Sequence, residues 1–126
     1  MIETVRLSQR AKEQLITLKR KTKIQNWNIL CRWGLCLSLA KKDLPTIKDV
    51  HTDGSIEMTW KVFGGRHSGI YLALLKEKCR AYDIACTPQN VNAILKHHLH
   101  RGISYLSAEN IESASDLINL STGDIK

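Results

Sequence analysis

His97, His98 and His100 crowd the end of one apolar-periodic segment, with Arg101 beside them. Imidazole is the commonest transition-metal ligand, and His97 and His100, three residues apart, would share one helical face. A site would still need a third ligand, and no Asp, Glu or Cys stands at helical spacing beside the pair. Cations near a helix C-terminus are also favoured by its dipole, which accounts for them without a ligand. No metal and no cofactor is expected. Cys31 and Cys36 are five apart and Cys79 and Cys86 seven apart, so neither pair has the C-x₂-C spacing of a zinc or redox site. Free buried thiols acting as small hydrophobes are expected instead.

The carboxylates give no catalytic constellation either. Asp43, Asp49, Asp53 and Glu57 are strung along one loop and strand, without the clustering that a Mg²⁺-dependent nuclease needs. There is no P-loop, no Gly-rich dinucleotide turn and no nucleophile elbow. The expected activity is binding, not catalysis.

What the chain does concentrate is positive charge. Its formal net charge is +7, and residues 1–42 hold ten Lys and Arg against Glu3 and Glu13. After Gly102 the balance reverses, with Glu109, Glu112, Asp116 and Asp124 against Lys126. A basic end and an acidic end on so small a body point to a polyanion partner for the first. DNA, RNA and an anionic membrane surface all fit; the alternative is a merely solvated face.

With 126 residues the chain makes one domain, a basic helical hairpin over 1–42 and an acidic helical segment over 103–126 at its two ends. The charge-poor stretch 24–40 is broken by Arg32, Gln25, Asn26 and Asn28, so it is no membrane span. Nor does the N-terminus have the layout of a signal peptide, and the expected location is the cytoplasm.

The elements that must carry the charge are mainly α. Residues 3–8 alternate as a short strand does. Ser8 caps a first helix with Ala11, Leu15, Leu18 and Thr22 on one stripe, Lys12, Lys19 and Lys23 flanking it, and Arg10 and Lys21 on the solvent side. A second helix, from Asn26 to about Leu39, is apolar on nearly every side. A helix of that kind must be buried all round, so part of it is expected at a subunit interface, with a monomer's core helix as the alternative. Gly34 and Ser38, four apart, would let another helix approach closely. Between these helices, residues 21–25 hold no Gly or Pro, and the two could run on as one.

Beyond a loop over 41–54, residues 55–63 read as a strand broken by Gly64 and Gly65. Ser68 caps a third helix over 69–82, in which Ile70, Leu72, Leu74, Leu75 and Cys79 are the apolar residues. Thr87 and Pro88 start a fourth, with Val91, Ile94, Leu95 and Leu99 inward and Gly102 as its stop. Ser107 caps a last helix to about Leu120. The strand-helix-helix order at the N-terminus is also that of ribbon-helix-helix repressors, in which Thr4, Arg6 and Ser8 would read bases from a strand paired across a dimer.

Three blocks together resemble one family. They are 6–19 with 27–39 (its Asn28-Ile29-Leu30-Cys31-Arg32-Trp33 core being distinctive), Trp60-Lys61-Val62-Phe63-Gly64-Gly65, and 98–106. They look like the DndE family of bacterial DNA phosphorothioate-modification proteins, over about residues 3–110. The resemblance implies a small, mainly helical, non-catalytic DNA-binding partner in the machinery that replaces a phosphate oxygen with sulfur. It also implies a homotetramer that binds double-stranded DNA, nicked duplex above all, beside other subunits of that machinery. Lys12, Lys19, Arg20, Lys21, Lys23, Lys41 and Lys42 would then contact phosphates, while Trp27, Leu30, Trp33, Gly34 and Leu37 would pack subunits together. One departure stands out. The family's expected Thr-Gly-Ile turn is here Thr22-Lys23-Ile24, and Lys in place of a left-handed Gly costs about 1 kcal/mol and favours a straighter connection. That would weaken the tetramer toward a monomer. A sequence-specific repressor and a protein–protein adaptor are the alternative functions.

Overall fold

The computed structural model describes residues 2–45, 51–54 and 56–122. Asp49, Ser55, Asp124 and Lys126 fall outside the described residues. The order is β1 (Thr4–Arg6), α1 (Gln9–Thr22), α2 (Trp27–Leu39), β2 (Glu57–Thr59), α3 (Trp60–Gly64), a 3₁₀ turn (Gly65–His67), α4 (Ser68–Ala81), α5 (Pro88–Ala108) and α6 (Ala114–Thr122). The mainly α expectation holds, with one two-stranded sheet.

α5, about 30 Å long, is the central strut. It does not stop at Gly102 but runs one and a half turns further, to Ala108. Gly102 serves a different purpose: a Cβ there would overlap the carbonyl of Gly34 in α2. At Gly34 an added Cβ would in turn lie 3.0 Å from the Ile103 backbone nitrogen. Two glycines thus bring the α2 and α5 backbones into direct contact, and the close helix approach expected at Gly34 is made within the chain. Since α5 continues, Ser107 is not a cap. α6 begins at Ala114, where Asp116 accepts from the backbone N–H groups of Glu112 and Ser113.

α1 follows its sequence signals. The Ser8 hydroxyl accepts from Ala11 N–H at 3.0 Å, and the buried residues are Ala11, Leu15, Leu18 and Thr22. The straight connection to α2 does not form. Lys23 itself adopts the left-handed conformation (φ 65°, ψ 9°) and donates its N–H to the Lys19 carbonyl. The Thr22 hydroxyl assists by donating to the Leu18 carbonyl at 2.7 Å and accepting from Ile24 N–H at 3.2 Å. Hydrogen bonds that close the turn offset the strain of a non-glycine residue there.

β1 pairs antiparallel with β2, Val5 facing Met58 and Arg6 facing Glu57. The strand expected over 55–63 is cut to three residues because the Thr59 hydroxyl accepts from Val62 N–H and starts α3. α3 inserts Phe63 fully into the core, stacked on Trp60 and edge-on to Tyr71. Of the apolar residues of α4, Leu75 and Cys79 are buried in the core while Ile70 and Leu74 are exposed, and Ser68 is the first helical residue with no side-chain cap before it. In α5 the Thr87 cap, Pro88 at the first turn and the inward Val91, Ile94, Leu95 and Leu99 are as expected. Among the described residues no helix is long and apolar enough to cross a membrane.

Candidate nucleic-acid interface

Ser8 N–H donates to His100 Nε2, and Lys21 pairs with Glu112, so α1 runs alongside α5 in the same direction. α2 returns the opposite way, with Gly34 against Gly102 and Ser38 against His98. The hairpin therefore has two ends. One holds the last turn of α1 and the turn after it: Lys19, Arg20, Lys21 and Lys23. The other holds the start of α1 and the C-terminus of α2, with Lys12, Lys41 and Lys42. About 20 Å of α2 separates them. The seven sequence-predicted cations fall into two groups rather than one patch.

At the first end, Lys19 Nζ lies 4.0 Å above the Trp27 ring, a cation–π contact that holds the ammonium at the helix turn. Arg20 and Lys23 are exposed. Lys21 lies 3.3 Å from Glu112. At the other end, Lys41 Nζ sits 5.8 Å from the Tyr105 ring, which Arg101 also faces at 5.6 Å, and the Lys41 carbonyl accepts from Lys78. Lys78 thus joins the second group; its position depends on tertiary packing that no local spacing in the sequence encodes. A groove of about 700 Å³ opens beside it, with Arg10, Gln14, His97 and Tyr105 among its lining residues.

Beneath the second end lies a buried polar relay. Arg101 donates from Nε to the Ser38 hydroxyl (2.8 Å) and from Nη2 to the Ser38 carbonyl (3.0 Å), closing the C-terminus of α2, and pairs with Asp43. Ser38 Oγ and His98 Nδ1 share a bond of 2.7 Å, and His98 Nε2 meets the Tyr82 hydroxyl at 2.8 Å. Burial, then the positive charges of Arg101 and Lys78, push the His98 imidazole down to about 4. His100 is also lowered, by burial first; its Nε2 accepts from Ser8, and Nδ1 bonds to the Lys96 carbonyl. Both rings are committed on both nitrogens, so the histidine cluster is a structural tie between α1, α2 and α5.

The remaining candidates disperse. Asp43 serves Arg101, Asp53 accepts from Gln9 N–H at 3.4 Å, and Glu57 pairs with Arg6 across the sheet. Cys31 and Cys79 are buried as expected, with the Cys31 thiol pushed up to about 12 by burial, but Cys36 and Cys86 are exposed. Thr4 and Arg6 are exposed on β1, yet that strand pairs within its own chain and the Ser8 hydroxyl is spent on a cap. Of the expected subunit contacts, Leu30 and Gly34 are buried against the chain's own core and offer no surface to another subunit. Trp27, Trp33 and Leu37 remain half-buried.

The family model described as DNA sulphur modification protein DndE matches residues 4–113. The chain belongs to the DndE family. Its fold is similar to that of crystalline DndE from Escherichia coli B7A, involved in DNA phosphorothioation modification. There the TM-score is 0.71 at 21% identity, covering 84% of this chain and 98% of that one. A double glycine-to-lysine mutant of DndE, also involved in DNA phosphorothioation, superposes with a TM-score of 0.67 at 19% identity over 86% of this chain and all of that one. No curated protein matches the sequence. This DndE-family chain has that fold with Lys23 in its left-handed turn.

Proposed function

We propose that this chain is a non-catalytic DNA-binding component of DNA phosphorothioate modification, gripping duplex phosphates with the basic turns of α1. Family membership over residues 4–113 is the observation that carries the reading. The exposed Arg20 and Lys23, with Lys19 held over Trp27, supply cations fixed to a rigid helix end. Lys12, Lys41 and Lys42 form a second contact region toward the far end of the hairpin. Contacts to phosphates position a protein without reading bases, so binding is nearly independent of sequence. A nick favours it where the two regions require a bent duplex, because a nick removes stacking stiffness at one step.

Self-association into a tetramer uses the half-buried Trp27, Trp33 and Leu37, since Leu30 and Gly34 are spent inside the fold. Other proteins of the modification machinery are the further partners, and the cytoplasm is the site of action. The test is fluorescence anisotropy with nicked and intact duplexes of unrelated sequence, on the wild type and on Arg20→Ala/Lys23→Ala. The reading expects similar affinity across sequences, tighter binding to the nick, and at least tenfold weaker binding by the variant. Binding to one sequence alone would support a repressor, and no binding to any duplex an adaptor.

A further inference from the structure

The acidic segment that follows α5 does not trail away from the basic helix but is built against it. Ile111 and Leu117 are each 1% exposed, so the connection and α6 are seated in the core. Asp116 fixes the connection further by accepting from the Glu112 and Ser113 N–H groups, at 2.8 and 3.2 Å. That placement holds Glu112 Oε1 3.3 Å from Lys21 Nζ. Lys21 belongs to the last turn of α1, between Lys19 and Lys23, in the group of cations proposed above to meet phosphates. α6 itself lies beyond residues 4–113, the span that matches the family.

We infer that this acidic segment is an internal competitor for the polyanion, occupying Lys21 with Glu112 and lowering the positive potential of the α1 end. The inference rests on the proposed DNA contact. Its physical basis is that a duplex phosphate and the Glu112 carboxylate seek the same ammonium, so a phosphate that meets Lys21 must displace the internal partner. The pair is partly exposed, with side-chain accessibilities of 34% for Lys21 and 60% for Glu112, so displacement needs no unfolding. The competition fades with salt, since ions screen both attractions.

Glu112→Gln removes the charge and keeps the backbone bonds that place the segment. Titrating a fluorescent nicked duplex with wild type, Glu112→Gln, Lys21→Ala and the double variant provides the test. The expected result is binding about three- to tenfold tighter for Glu112→Gln at low salt, with the gap closing as salt rises. Lys21→Ala should weaken binding more in the Glu112→Gln background than in the wild type, because only there is Lys21 free to meet a phosphate. Binding by Glu112→Gln alone would be the extreme form of the same effect. Equal affinities of wild type and Glu112→Gln at every salt concentration would overturn the competitor while leaving the DNA contact intact. No binding by either protein would overturn both.

Discussion

Gly34 and Gly102 face each other where α2 crosses α5, so close that a Cβ on Gly102 would overlap the Gly34 carbonyl. The contact fixes the antiparallel course of α2 along α5 and, through it, the separation of the two basic ends. It also explains why a glycine inside a 21-residue helix is tolerated despite its cost of about 1 kcal/mol relative to Ala.

Gly102→Ala is therefore expected to be severe. The added methyl meets backbone rather than a yielding side chain, and overpacking of that kind costs roughly 3 kcal/mol or more. Thermal melts should show a loss on the order of 10 °C. Gly34→Ala, with its nearest contact at 3.0 Å, should lose less. Equal stability of Gly102→Ala and wild type would mean that the helices do not cross here.

Lys23→Gly should stabilise the chain. Lys23 sits at φ 65°, where a Cβ is strained, and relief of that strain exceeds the added freedom of Gly in the unfolded chain by about 1 kcal/mol. Lys23→Ala should show no such gain. A urea midpoint for Lys23→Gly at or below that of wild type would contradict the left-handed turn.

Stability should fall in mild acid because of His98. Its native value, about 4, lies below the ordinary 6.5, so between those pH values the unfolded chain binds the proton and the folded chain does not. The contribution is fully present above pH 6.5 and is lost as pH falls toward 4, at up to about 1.4 kcal/mol per pH unit. His100 is lowered too and adds in the same direction. Urea midpoints followed against pH should flatten in His98→Gln relative to wild type, whatever that variant's absolute stability. An unchanged slope would show that His98 is protonated in the native state.

Much of this architecture is legible in the chain itself. Ser8 and Thr87 mark helix starts because a cap is a local hydrogen bond, and the α1 stripe reads correctly because one face meets one core. The reading fails where a long-range contact overrides a local signal. Gly102 has the composition of a helix stop but answers to Gly34, 68 positions away. Leu30 and Gly34 look like subunit contacts because the sequence cannot tell a partner chain from α5. Trp60 to Phe63 alternates like a strand, yet Thr59 caps it into a helix that seats Phe63. The cations of α1 are visible as a cluster; that Lys21 already has a partner in Glu112 is visible only in the fold.

Whether the α1 end holds duplex DNA by its phosphates is decided by the salt dependence of affinity for a nicked duplex. With five or six phosphates neutralised by the α1 end and the second basic region together, log K should fall against log salt with a slope of about −5. Arg20→Ala/Lys23→Ala should make that slope shallower by about 2. A flat response, or a slope unchanged in the variant, would mean that the α1 end does not hold DNA by its phosphates.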